Sequence, residues 1–117
     1  MQRIAIPILN GKLSESFGQC SHYEIFEIDN KQIKSNVVKI PNVKNISELP
    51  EWASKQGISD IITYKIDKQI INLFIKLKIN LFVGIPIKAT HVLIEDYLNG
   101  NLKSDSNIIS NIISGLK

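Results

Sequence analysis

Apolar residues run almost unbroken through residues 3–9, where Ile4, Ala5, Ile6, Ile8 and Leu9 surround a single proline. A short continuous apolar run reads as a strand buried on both faces. Asn10-Gly11 is a turn signal, and a polar, glycine-bearing loop continues to Ser21. Residues 22–29 then alternate, with Tyr23, Ile25 and Ile28 set against Glu24, Glu27 and Asp29. Asp29-Asn30-Lys31 is a tight connection, and residues 33–40 are strand-like again, with Val37, Val38 and Ile40. Two such runs across a short turn predict an antiparallel hairpin.

The period changes after Pro41. Residues 41–45 read as a loop, and Ser47 as a helix cap with Pro50 inside the first turn, where a missing N–H costs nothing. Leu49, Trp52 and Ala53 supply the inward face of this helix, and Gly57 closes it. Residues 60–63 form a short buried strand around Ile61-Ile62. Asp67 opens a second helix carrying Ile70, Ile71, Phe74, Ile75 and Leu77 at helical spacing. Residues 79–83 form another buried strand, stopped by Gly84. A third helix starts at Ala89 or Thr90, turns Val92, Leu93, Tyr97 and Leu98 inward, and ends at Gly100.

The order is β-β-β-α-β-α-β-α. Its second half is two crossover units, which are right-handed and make parallel strands. The expected fold is therefore α/β and three-layered: a mixed five-stranded sheet flanked by helices, in a ribonuclease H-like layout with the first strand central. This domain spans residues 1–103. In the tail, residues 104–117, the aliphatic residues Ile108, Ile109, Ile112, Ile113 and Leu116 recur at helical spacing. They predict a short amphipathic helix over residues 106–116. An eleven-residue helix is marginal alone, so its stripe should pack on the domain or, as the preferred expectation, on a second copy in a homodimer.

Size and charge narrow the function classes. A chain of 117 residues bounds one domain. The net charge of +3 is small and the lysines are dispersed, which argues against nucleic acid as a partner. No apolar run approaches the ~20 residues of a membrane span. The single cysteine, Cys20, excludes an internal disulfide and suits a reducing compartment. The first residues lack the features of a secretion signal, so the expected location is the cytoplasm.

In open α/β sheets ligands bind beyond the carboxyl ends of parallel strands, at the point where the strand order reverses. Three loops should meet there, at residues 10–21, 64–67 and 84–89. They bring Ser14, Ser16, Gly18 and Cys20; Tyr64 and Lys65; and Gly84 and Lys88. A thiol, hydroxyls, backbone donors and ammonium groups together suit an anionic ligand or an anionic metal-sulfur cluster. Cys20 and His22 have the spacing of a ligand pair, although a zinc site usually has four ligands. Each residue also has a structural reading. Cys20 can be a small half-buried side chain, and Phe17 a plug packing the loop on the sheet. Gly18 can serve a backbone angle that other residues resist.

Familiar catalytic constellations are missing. The first strand reads Ile4-Ala5-Ile6, so a two-metal nuclease centre has no carboxylate anchor there. There is no Gly-Lys-Ser/Thr phosphate loop and no Gly-x-Ser-x-Gly elbow. A Cys20–His22 dyad lacks a third, orienting group. The expectation is a protein that is not an enzyme.

Several short motifs carry a family resemblance. They are the opening Ile4-Ala5-Ile6-Pro7, the Ser14-x-x-Phe17-Gly18-x-Cys20-x-x-Tyr23 loop, and the closing Asp96-Tyr97-Leu98-Asn99-Gly100-Asn101-Leu102-Lys103. With the element order, residues 1–103 resemble the dinitrogenase iron-molybdenum cofactor biosynthesis family of carrier-type domains and their stand-alone relatives. The resemblance implies a non-enzymatic module that binds an iron-sulfur or iron-molybdenum type cluster. Ser16, Phe17, Gly18, Cys20, Lys65 and Lys88 would surround the cluster, and Cys20 with His22 would supply metal ligands. The sequence departs from the family pattern at Ser16, where a histidine is usual, and in residues 41–45 and 64–67, which lack the usual histidines and glycines. These departures keep open an alternative: a protein-interaction domain of the same fold that has lost its cluster.

Overall fold

The computed structural model describes residues 2–105. The elements are β1 (Gln2–Leu9), β2 (Lys12–Leu13), β3 (His22–Asp29), β4 (Gln32–Lys39), α1 (Leu49–Lys55), β5 (Asp60–Ile62), α2 (Lys68–Lys76), β6 (Asn80–Phe82) and α3 (Thr90–Leu98), with a 3-10 turn at Ile46–Glu48 before α1. The sheet runs β4-β3-β1-β5-β6, with β2 added against β1. β1 is antiparallel to β3 and parallel to β5, and β5 is parallel to β6.

The sheet has six strands where five are expected. The extra strand follows from Asn10-Gly11, whose positive φ angles of 56° and 78° close a two-residue turn. That turn folds Lys12–Leu13 back so that Leu13 pairs with Ile8 and Lys12 with Leu9. Leu13 is buried, and its N–H donates to the Lys88 carbonyl at 3.0 Å.

Side-chain alternation along β1 sorts the core into two layers. Ala5 lies on one face with Tyr23, Ile25 and Ile61, under Leu49 and Ala53 of α1 and Ile70, Ile71 and Phe74 of α2. Ile4, Ile6 and Ile8 lie on the other face with Phe26, Ile28 and Ile62, under Leu93 and Ile94 of α3. β1 is apolar from Ile4 to Ile8, the stretch buried on both of its faces. β4 is an edge strand and almost wholly exposed, which leaves Ile33, Val37 and Val38 facing solvent.

Two local expectations change. Ser47 lies inside the 3-10 turn that leads into α1, and the cap is that turn's, at Asn45: the Glu48 carboxylate accepts from the Asn45 N–H at 2.9 Å and the Lys44 N–H at 3.1 Å. Ile75 and Leu77 are exposed, although they continue the apolar pattern of α2. Ile75 lies five positions past Ile70, about 140° around the helix, and Leu77 is the residue after its last turn. At the far end, the Val83 N–H donates to Ser104 Oγ at 3.0 Å and the Asp105 N–H to the Val83 carbonyl at 2.8 Å. The helix expected over residues 106–116, and its dimer contact, lie outside the described residues.

Candidate functional site

The loops after β1, β5 and β6 do meet, and backbone hydrogen bonds join them. The Phe17 N–H donates to the Lys65 carbonyl at 2.9 Å, and the Lys65 N–H to the Glu15 carbonyl at 3.1 Å. The Gly84 N–H donates to the Tyr64 carbonyl at 2.9 Å. Ser16 sits at this junction, paired in register with Lys65, and its carbonyl accepts from Ser14 Oγ at 2.9 Å. The Lys65 ammonium is exposed and lies 3.7 Å from the Glu15 carboxylate. Lys88 is exposed too.

Beyond Ser16 the loop turns away from these lysines. Phe17 is buried, with its ring edge-on to Tyr23 at 6.0 Å and to Phe74 at 5.6 Å. It packs the loop onto the sheet. Gly18 has φ +92°, and a Cβ there would collide with the side chain of Ile46. The loop is thereby laid against the segment before α1. Cys20, His22 and Tyr23 follow, and with Lys44, Asn45 and Ile46 they line a groove of about 230 Å³. The expected site thus divides in two. Ser16, Lys65 and Lys88 stay at the strand ends, and none of them lines the groove that holds Gly18, Cys20 and His22.

The groove's polar groups are specific. Cys20 is half-buried. Burial pushes its thiol above the ordinary value, opposed by Tyr23 and by nearby backbone groups, so it rests as the thiol at neutral pH. The Ser21 hydroxyl donates to the Ile8 carbonyl at 3.0 Å and lies 2.9 Å from His22 Nδ1. A hydroxyl has one proton to give. With that proton on Ile8, Nδ1–H is the donor to Ser21, and the free lone pair of His22 falls on Nε2.

Tyr23 is only 2% exposed, and its ring is held between Phe17 and Trp52. Its hydroxyl meets no hydrogen-bond partner among the described residues. Burial first, then the neighbouring Cys20 sulfur, holds it far above the ordinary phenol value. The Cys20 sulfur is the polar atom set against this hydroxyl. Tyr23 closes the Ser14-to-Tyr23 motif but is not among the candidate site residues read from the sequence, because its apolar ring already explains its place in the alternation of β3. Among the described residues, no group of three or more His, Cys, Asp or Glu side chains could hold a metal ion.

The described residues thus form a small α/β domain with a loop-covered sheet end and, beside that loop, a groove that holds one thiol and one imidazole. The dinitrogenase iron-molybdenum cofactor family matches this chain over residues 1–100, and the chain belongs to that family. It is 28% identical over 87 residues to the uncharacterized protein MJ0580 of Methanocaldococcus jannaschii, covering 70% of this chain and 74% of that one. The crystal structure of PH0822 superposes with a TM-score of 0.79 at 25% identity, covering 89% of this chain and 95% of that one. MJ0327 of Methanocaldococcus jannaschii, provisionally assigned as a dinitrogenase, superposes with a TM-score of 0.72 at 26% identity, covering 89% and 94%. Among the described residues no helix is long and apolar enough to cross a membrane.

Proposed function

We propose that this protein is a non-catalytic binding module whose cargo is a small anionic metal-sulfur cluster, held in the groove between residues 18–23 and 40–46. The observation that carries this reading is the Cys20 thiol, half-buried in a groove that also holds a histidine and a lysine. Sulfur is the soft donor that iron-sulfur chemistry prefers. Cys20 would bind one metal of the cluster, its proton leaving to water as the metal–sulfur bond forms, with no change of oxidation state. His22 Nε2 would be a second donor, and Lys44 would supply positive charge. Two protein donors hold a cluster loosely, which suits a carrier that must release its cargo. Family membership supports the same reading.

Anaerobic reconstitution with iron and sulfide, followed by desalting, metal analysis and an absorption spectrum, tests it. Wild-type protein should retain iron and sulfide in a fixed ratio, and Cys20→Ser should lose most of both. Equal retention by the two would remove the cysteine from the mechanism. A second reading, a protein-interaction domain that has lost its cluster, draws on the apolar residues exposed along edge strand β4. Absence of any retention by the wild type would favour it.

A further inference from the structure

We infer that β4 is a docking edge for another protein, whose extended segment adds to the sheet with acidic residues on one face and aliphatic residues on the other. The inference rests on the reading above for its purpose, since a carrier must meet the proteins that load and unload it, and on the edge itself for its chemistry. β4 is the outer strand of the sheet, so one row of its backbone N–H and C=O groups has no strand beside it among the described residues. Apolar side chains stand in the open along it: Val38 is 59% exposed, Ile33 45%, and Ile40, just past the strand, 76%. A shift in the pairing with β3 leaves Lys34 as an extra residue, a bulge that interrupts the edge. Past that bulge the pairing is regular from Ser35 to Lys39. Val37 and Lys39 lie opposite Ile25 and Tyr23, on the face of α1 and α2, and Val38 lies on the face of α3.

The charge on this edge has one sign. β4 carries Lys34 and Lys39 and no acidic residue, with Lys31 before it and Lys44 after it. Among the described residues none of these four ammonium groups is in a salt bridge. A second copy would set the same unrelieved positive charge against itself, and edge lysines guard a sheet against such self-pairing. An acidic strand meets the opposite condition. Main-chain hydrogen bonds to an added strand supply affinity, and its alternating side chains supply specificity. Acidic residues would fall on the face of Lys39 and aliphatic ones on the face of Val38, where charge complementarity excludes the wrong partner. The far end of β4 leads into the groove, since Ile40, Pro41 and Lys44 line it together with Cys20. A partner strand laid along β4 therefore ends beside the cargo.

The test uses the full chain, as wild type and as the double variant Lys34→Glu with Lys39→Glu, and follows backbone amide shifts by NMR. Each is titrated with three synthetic peptides of the length of β4. One alternates glutamate with valine and isoleucine, the second has lysine for every glutamate, and the third has serine for every aliphatic residue. Wild type should bind the glutamate peptide with shifts centred on residues 33–40, less tightly as salt is raised. The lysine peptide should bind it about tenfold or more weakly, and the serine peptide should also lose affinity. The double variant should reverse the preference between glutamate and lysine. It should melt with the wild type, both sites being exposed, and retain iron and sulfide as the wild type does. Equal affinity of wild type for the glutamate and lysine peptides, or shifts that map away from β4, would overturn the inference. So would absence of binding, whether nothing fits the edge or a second copy or residues 106–117 already hold it. Peptide binding as expected, with no iron or sulfide retained by the wild type, would uphold the docking edge and remove the cargo reading alone.

Discussion

Truncating Phe17 to alanine separates packing from ligand contact in the loop. The ring is 4% exposed and meets Tyr23 and Phe74 edge-on. Removing a buried phenylalanine side chain costs about 3–5 kcal/mol, the range reflecting how far the site collapses. The two ring pairs make up part of this, at about 0.5–1.5 kcal/mol each. For a domain of this size 1 kcal/mol moves the melting temperature by about 4 °C, so Phe17→Ala should melt about 12–20 °C below wild type. Phe17→Leu keeps most of the volume and loses the ring pairs, so its drop should be about 4–12 °C. Urea unfolding of the apoprotein should show lower midpoints with unchanged slopes, because the surface exposed on unfolding is nearly the same. A Phe17→Ala apoprotein melting within about 2 °C of wild type but unable to retain iron and sulfide would refute the packing role and make Phe17 a ligand contact.

Gly18→Ala should lower stability by about 1–3 kcal/mol from the positive φ, and the collision with Ile46 adds to this. Adding Ile46→Ala should recover the collision but not the backbone cost, read as incomplete rescue in urea. The Ser35 hydroxyl and then Arg3 hold the Glu27 carboxyl below its ordinary value. A depressed carboxyl contributes stability above its unfolded value and loses it as pH falls through the folded one. Wild type should therefore lose stability more steeply than Glu27→Gln as pH drops below the ordinary glutamate range, a small difference because the pair is at the surface. Cys20 should react with iodoacetamide more slowly than a free thiol at pH 8, with the rate still climbing above pH 9. Fast alkylation that levels off near neutral pH would contradict its buried, protonated state.

Local patterns were enough for much of this protein. The unbroken apolar run from Ile4 to Leu9 marks a strand covered on both faces, because burial on two sides removes the alternation. The alternation through Tyr23, Ile25 and Ile28 and the tight turn at Asn30 place the hairpin, since strand period and turn geometry are set by neighbours in the chain. The element order forced the crossover connections of β5 and β6. The motif from Ser14 to Tyr23 carried the family.

Only the tertiary structure decided which way the loop's side chains face. Sequence placed Ser16, Cys20, Lys65 and Lys88 around one ligand. Two long-range bonds divide them: the Phe17 N–H to the Lys65 carbonyl pins one half of the loop to the strand ends, and the Ser21 N–H to the Ile8 carbonyl at 2.8 Å ties the other half to β1. Between those anchors, Gly18 presses against Ile46 and turns Cys20 toward residues 40–46. Lys12 and Leu13 became a strand through the same kind of distant contact, with Lys88 accepting from Leu13. Ile75 and Leu77 carried the apolar signal of α2 but fell outside its buried arc. The Tyr23 hydroxyl shows the limit most clearly. Sequence assigns a tyrosine its ring and its oxygen together, and only the packed interior determines that the ring lies between Phe17 and Trp52 while the oxygen is buried against the Cys20 sulfur.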